Sequence, residues 1–269
     1  MPVKKSVAPD AKLKQTSIVT APPPKLDTLK SWSYSVYTSY LKCPMSVMFE
    51  KIKRIKIYEP ENPNFVKGNF VHKSAELYIG TEGKKEPPVI PELKHVTEQL
   101  KKFRGLRAKT EQDWAFTKAW KLSRWNDWDN CWLRIKVDVC AVVDAVLDKK
   151  KKVKEPALIH ITDWKTGKIY DDHKQQRSLY ALGGLQLVEL GQLTDGVKDV
   201  KIIAEHRYTD TNQSATEEYA MSDLKPLKRE WETRIKEMMS DTTYRANPGF
   251  HCRWCRFRKS NGGPCPENQ

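Results

Sequence analysis

Two aspartates stand where a strand bound for a protein core should carry apolar side chains, and they constrain the fold more than any other feature of this chain. Asp138 lies between Val137 and Val139, in a stretch where Trp132, Ile135, Val137 and Val139 follow the two-residue period of a strand. Asp163 closes the short apolar run from Ala157 to Trp164. A carboxylate in such a strand is costly unless it is paired, hydrogen-bonded or bound to a cation. Lys165 follows Asp163 by two residues and so points to the same side of the pleat. If the two strands are neighbours, two acids and one ammonium group converge on one place.

The flanking pattern says what kind of domain holds these strands. Serines precede a run of helical spacing through Tyr37, Tyr40, Leu41, Val47, Met48 and Ile52 and can cap its start. A second helical stretch carries Phe65, Phe70, Val71, Ala75 and Tyr78, and Pro91 opens a third that runs through Leu100 to Phe103. Trp114 and Phe116 mark a first strand ahead of the two that carry the acids. The lysine run Lys149–Lys152 fits a solvated hairpin loop between those two, or a reach toward a phosphate backbone. Asp171 to Leu190 returns to helical spacing, Val200 to Tyr208 reads as a further strand, and Leu224 to Met239 as an amphipathic helix. Helix, three strands, helix, strand predicts an α/β domain with a central mixed sheet flanked by helices.

The 269 residues suffice for one sizeable domain. Residues 1–30 carry six lysines against Asp10 and Asp27, with a Pro22-Pro23-Pro24 run and no sustained periodicity, and are expected to form a basic, disordered tail. The formal charge of +14 falls only to +10 without them, so the folded body, residues 31–269, is itself suited to a polyanion. Nucleic acid is the first candidate. No segment approaches the roughly 20 apolar residues of a membrane helix, and no secretory signal opens the chain, so a cytoplasmic protein is expected. In that reducing compartment the six cysteines are read for metal binding rather than for disulfides.

Oxygen ligands such as Asp138 and Asp163 suit Mg²⁺ or Mn²⁺, which bridge to substrate phosphates, while Lys165 can orient or help activate a nucleophile. That is the chemistry of phosphodiester hydrolysis. Taken alone, an Asp-x-Lys tripeptide is more often an ion pair at a sheet end.

A wider series of motifs changes the odds: Ser33, Ser35, Cys43 and Pro44; Gly68-x-x-x-His72; Asp138 within a strand; Asp163-Trp164-Lys165-Thr166-Gly167-Lys168; and Gln176-x-x-x-Tyr180 in the next helix. In order and context the chain resembles the RecB-like branch of the PD-(D/E)XK nuclease superfamily from about Ser33 to Cys265. That branch includes CRISPR-associated spacer-processing exonucleases and the nuclease domains of bacterial recombination helicases. The resemblance implies a restriction-endonuclease-like core and a DNA exonuclease. It also implies His72, Asp138, Asp163 and the backbone carbonyl of Trp164 as metal ligands, Lys165 as the catalytic lysine, and Gln176 and Tyr180 as residues that line the site and help hold the DNA strand. A lone helical histidine is otherwise a surface or core residue. Glu76 and Glu111 could join the acidic pocket but are more simply solvated or salt-bridged, and stay outside the core set.

Cys252-x-x-Cys255 and Cys265, with Cys43 from the other end of the chain, offer four thiolates, which suit a tetrahedral zinc or an iron-sulfur cluster. The resemblance favours a [4Fe-4S] cluster, stapling the C-terminal region 248–269 to the first helix. The nine residues between Cys255 and Cys265 exceed what is usual for the subtype, which keeps zinc, or His251 as a ligand, open. Cys131 and Cys140 read as small buried apolar residues. Around the cluster ligands, Arg253, Arg256 and Arg258 are candidate DNA contacts, while Trp254 and Phe257 either stack on bases or cover the cluster. The nearest alternatives to an exonuclease are an endonuclease of the same fold and a catalytically silent DNA-binding scaffold. A zinc-dependent binding module would leave the strand-embedded acids unaccounted for.

Overall fold

The computed structural model describes residues 26–58, 61–81, 85–167, 169 and 173–267. Residues 1–25 of the expected tail, Lys168 of the lysine motif and the start of the fifth helix at Asp171 lie outside the described residues.

Helix α1 (Tyr34–Lys42) begins at Ser33, whose side chain accepts from the Val36 amide, 3.4 Å. The long first helix expected from spacing is broken at Cys43, which is extended (φ −160°), and restarts at Pro44 as α2 (Pro44–Val47) and a wider π turn, Met48–Ile52. Proline at the first helical position explains the restart, because it lacks the amide that the preceding helix would need. Asn62 and Pro63 open α3 (Pro63–Gly80), and Pro91 opens a 3₁₀ turn, Pro91–Val96, that leads into α4 (Thr97–Gly105).

The central sheet has the order β1-β2-β5-β6-β7, with β1 (Lys109–Phe116), β2 (Leu133–Val143), β5 (Ala157–Lys165), β6 (Val200–Tyr208) and β7 (Gln213–Ala220). Only β5 and β6 run parallel, and helix α5 (His173–Glu189) lies between them in sequence, as a parallel pair requires. The expected mixed sheet flanked by helices is what the chain forms. Lys149–Lys152 occupy the turn of a small hairpin, β3 (Val146–Leu147) and β4 (Val153–Glu155), where Asp148 accepts from the amides of Lys150 and Lys152. This hairpin precedes β5 and stands at the end of the sheet opposite Asp163.

Two apolar cores sandwich the sheet. One gathers α1, α5 and helix α6 (Leu224–Ser240) around Trp32, Trp132 and Trp231, with Trp231 stacked on Trp32 at 5.6 Å. The other gathers α3 and α4 around Val139, Ala141 and Trp164. Gly183 and Gly184 let α5 approach the sheet closely: a Cβ at Gly183 would stand 2.8 Å from Ile135, and one at Gly184 2.9 Å from Ile161 and Ile202. That close approach places the N-terminal half of α5 against the end of β5.

Residues 26–30, counted above with the tail, make contacts with the folded body. The Leu26 amide donates to the Thr242 carbonyl, Leu29 is buried, and the Asp27 carbonyl accepts from Tyr244 Oη. Among the described residues no helix is long and apolar enough to cross a membrane.

Candidate functional site

The acids meet where the sheet loses its regular pairing. The antiparallel ladder of β2 and β5 ends at Val139 opposite Thr162, so Asp138 and Asp163 are the next facing positions. On the other side of β2, Thr110 pairs with Val139 and Gln112 with Val137, which sets Glu111 opposite Asp138. Glu111 has a left-handed backbone, φ +48°, rare for a residue with a Cβ. Val137 packs in the α5 core and Val139 in the α3 core, so the inward face of β2 changes sides at Asp138.

Helix α3 brings His72 to this irregularity, with Nδ1 3.2 Å from Asp138 Oδ2. The same oxygen accepts from the Trp164 amide at 2.8 Å. The Trp164 backbone stands beside His72 as well and helps to raise its pKa. Ligand atoms of His72, Glu111 and Asp138 all lie within 4.8 Å of one another. Glu111 is thus drawn into the pocket, while its carboxylate also pairs with Lys136 at 2.9 Å. Glu76 stays outside, paired with Lys73 at 2.8 Å.

Asp163 is held from the α5 side. Its Oδ1 accepts from Tyr180 Oη at 2.6 Å, and its Oδ2 lies 2.6 Å from Lys165 Nζ. Lys165 Nζ donates to Gln176 Oε1 at 3.0 Å, and Gln176 Nε2 donates to Tyr180 Oη at 2.6 Å, closing a ring of four side chains. Tyr180 is only 3% exposed. Gln176 and Tyr180 therefore stand at the site that the resemblance assigns them, hydrogen-bonded to Lys165 and Asp163. The i, i+4 spacing on α5 puts both on one face.

Burial pushes the Asp138 carboxyl up, and the charge of Asp163 adds to the shift. Asp163 goes the other way: burial is outweighed by the charge of Lys165 and by hydrogen bonds from Lys165 and Tyr180. His72 is raised, since the bond to Asp138 and the charges of both aspartates outweigh its burial. His206, on β6 beside Asp163, is fully buried, and burial drives its pKa down to about 3. Its Nε2 lies 3.8 Å from Asp163 Oδ2, and Arg177 donates to its Nδ1 at 3.2 Å while pairing with Glu217 at 2.7 Å. Sequence reasoning passed over His206 and Arg177; a histidine inside the apolar strand Val200–Tyr208 was the available signal.

Two carboxylates repel each other here, and the buried Asp163 Oδ2 is met by the Lys165 ammonium at 2.6 Å. Carboxylate oxygens, an imidazole and a carbonyl form a donor set suited to a hard divalent cation.

The cysteines gather at a second place. Burial raises the Cys255 thiol, and the nearby Cys265, Cys43 and Cys252 thiols add to the shift. The nine-residue gap is taken up by a turn: Gly263 donates to the Arg258 carbonyl and Cys265 to the Phe257 carbonyl, each at 3.0 Å, which returns Cys265 to Cys255. A Cβ on Gly263 would lie 2.2 Å from the Phe257 backbone, so only glycine fits. Asn247 bonds the Lys42 carbonyl at 2.9 Å, and Phe257 packs on Phe49, tying this segment to the end of α1 and to the π turn Met48–Ile52.

The aromatic pair divides its roles. Phe257 is buried, whereas Trp254 is 69% exposed and packs edge-on against Phe250. Arg258 donates to Asn261 Oδ1 and to the Arg253 carbonyl, Arg253 lies over the Phe250 ring, and Arg253 and Arg256 are exposed. Cys131 and Cys140 are buried, as expected.

Comparison with known proteins bears on the family. A search of curated protein sequences returned no match. A solved structure titled "Crystal structure of SSO0001" aligns over 91% of this chain and 90% of its own, with 14% identity and a TM-score of 0.37. The family model described as the PD-(D/E)XK nuclease superfamily matches residues 31–260, a span that contains the strand acids, Lys165 and the Gln176–Tyr180 pair. This chain belongs to the PD-(D/E)XK nuclease superfamily.

Proposed function

We propose that residues 31–269 form a cytoplasmic, divalent-metal-dependent deoxyribonuclease that hydrolyses phosphodiester bonds as an exonuclease, favouring single-stranded ends, in DNA recombination, repair or processing. The observation that carries this reading is the convergence of Asp138, Asp163 and Lys165 at the point where β2 and β5 separate, with His72 and Glu111 beside them. Exonuclease action follows the RecB-like resemblance.

In this reading His72, Asp138, Asp163 and the Trp164 carbonyl hold the cation, with Glu111 as a further oxygen ligand. Mg²⁺ or Mn²⁺ bound there supplies positive charge against the charge that develops on the phosphate. Lys165, steadied by Asp163 and Gln176, faces the same space and orients the attacking water. Tyr180 keeps Asp163 aimed, and neutral His206 closes the site behind it. A silent scaffold would have no use for this ring of mutually oriented groups.

For the cysteines we propose a [4Fe-4S] cluster on Cys43, Cys252, Cys255 and Cys265. Four free thiols drawn together from both ends of the chain fit a thiolate-bound group. Zinc would pull the sulfurs to within about 4 Å of one another, given Zn–S bonds near 2.3 Å. Zinc on the same four thiolates is the alternative, and iron and zinc content of the purified protein decides between them.

Linear and covalently closed single-stranded DNA incubated with Mg²⁺, with Mn²⁺ and with EDTA test the activity. Degradation of the linear form alone, abolished by EDTA, is the expected result. Cleavage of the closed circle would replace exonuclease with endonuclease, and metal-independent degradation would remove the proposed centre. Glu111→Gln is expected to weaken Mg²⁺ binding roughly 10-fold, within the range seen when groups supporting a metal site are changed. A Mg²⁺ titration of the initial rate checks it.

A further inference from the structure

The loop that joins β1 to β2, residues 117–132, plays no part in the site described above, yet it stands at the same end of the sheet. It leaves β1 at Phe116 and enters β2 at Leu133. Because β2 runs antiparallel to β5, the start of β2 lies toward the end of β5 that carries Asp163 and Lys165. Arg134 precedes Asp138 by four residues, about 13 Å along the strand at 3.3 Å per residue.

Three features set this loop apart from an ordinary surface turn. Trp128 is 71% exposed, with the Arg134 guanidinium 4.8 Å from its ring and 5.9 Å from that of Trp125. Burying so little of a large aromatic ring forgoes the stabilisation it would give in a core. Arg134 also has no carboxylate partner among the described ion pairs; it donates to Ser31 Oγ and the Trp125 carbonyl, and its buried Nη2 lacks an acceptor. Lys118, Lys121 and Arg124 are exposed around it, against Asp129. Asp127 is turned inward, accepting from the amides of Asp129 and Asn130. Leu122 to Asp127 line an open hollow of about 810 Å³.

The loop is also held rigidly. Trp120 is buried and donates to Glu232 at 2.7 Å, its carbonyl accepts from Gln186, and Ser123 and Trp132 bond back to Ala115 and Phe116. An exposed aromatic ring beside exposed cations, on a loop pinned by Trp120, Ser123 and Trp132, is an arrangement that binds unpaired nucleotides, because every base has a π face and every link a phosphate.

We propose that this loop is a stacking platform for an unpaired stretch of the DNA substrate, with a base laid on Trp128 and the adjoining phosphates met by Arg124, Lys121 and Lys118. The identity of the polymer rests on the nuclease reading; the platform itself rests on the loop. It offers a reason for single-strand preference at the neighbouring centre, since paired bases within a duplex cannot present a free face to Trp128.

Fluorescence anisotropy of end-labelled oligothymidylate and of a duplex of equal length, with Ca²⁺ replacing Mg²⁺ so that the DNA survives, tests it. Trp128→Ala is expected to weaken single-strand binding about 10-fold while duplex binding changes far less, and Trp128→Phe to restore most of the affinity. Arg124→Ala is expected to lower the salt slope of binding by about one. Unchanged single-strand affinity in Trp128→Ala, or equal loss for both DNAs, would overturn the proposal. If Asp163→Asn leaves hydrolysis intact while Trp128→Ala costs single-strand affinity, the catalytic reading falls and the platform stands; the opposite pattern removes the platform alone.

Discussion

Lys165→Ala is expected to lower Mg²⁺-dependent DNA hydrolysis about 10³-fold, the scale on which a positioned proton-transfer group or a charge-stabilising donor acts. The geometry explains why so much should depend on one ammonium group. Lys165 touches the buried Asp163 at 2.6 Å and Gln176 at 3.0 Å, so its removal leaves a buried carboxylate without its cation. Arginine is not a conservative substitute, because its planar fork cannot reproduce a single compact charge between these two partners. Tyr180→Phe separates positioning from chemistry. It removes one hydrogen bond to Asp163 and should cost roughly 10-fold, in kcat rather than KM, as expected of a hydroxyl that acts through Asp163. Single-turnover rates with saturating DNA would show both effects. A Lys165→Ala protein that cleaves at the wild-type rate would sink the assignment, provided its melting curve shows it folded.

Cys43→Ser is expected to give colourless, iron-poor protein with a markedly lower melting temperature. A link between Cys43 and Cys252 closes a loop of about 210 residues, and on the chain-entropy argument such a closure contributes about 5 kcal/mol. For a domain of this size that corresponds to roughly 10–20 °C. Gly263→Ala supplies the complementary test without touching a ligand. Its added methyl group would strike the Phe257 backbone and force open the turn that returns Cys265 to Cys255. Iron content and melting temperature should fall together in both variants. Zinc in place of iron in the wild-type protein would reverse the choice of cofactor while keeping the staple.

The strand acids were legible because they break a rule: Asp138 and Asp163 interrupt runs whose every other signal is burial. Glu111 broke no rule, since it sits in the polar stretch Lys109 to Asp113, and its role depends on a left-handed backbone that no propensity announces. Strand β7 was missed for a related reason. As the edge strand it pairs with β6 alone, so residues such as Thr216, Glu217 and Glu218 satisfy it without an apolar alternation. The lysine hairpin was recognised as a hairpin, but only the sheet order shows that it faces away from the acids. Gln176 and Tyr180 were identified as members of the site, whereas their task of aiming Asp163 and Lys165 depends on how deeply α5 sinks against the sheet at Gly183 and Gly184.

The bonds that join the two ends of the fold bear on how the molecule is made. Tyr40 donates to Asp241 across 201 positions, and Tyr244 to Asp27 across 217. On a ribosome adding about 5–20 residues per second, α1 and Trp32 must wait at least ten seconds or so for α6 to emerge and cover them. During that interval the first helix exposes its aromatic face with no partner. Nascent chains stalled before Trp231 should therefore be held by chaperones and readily cut by protease, and protection should arrive in a single late step once the segment that carries Tyr244 is free to dock.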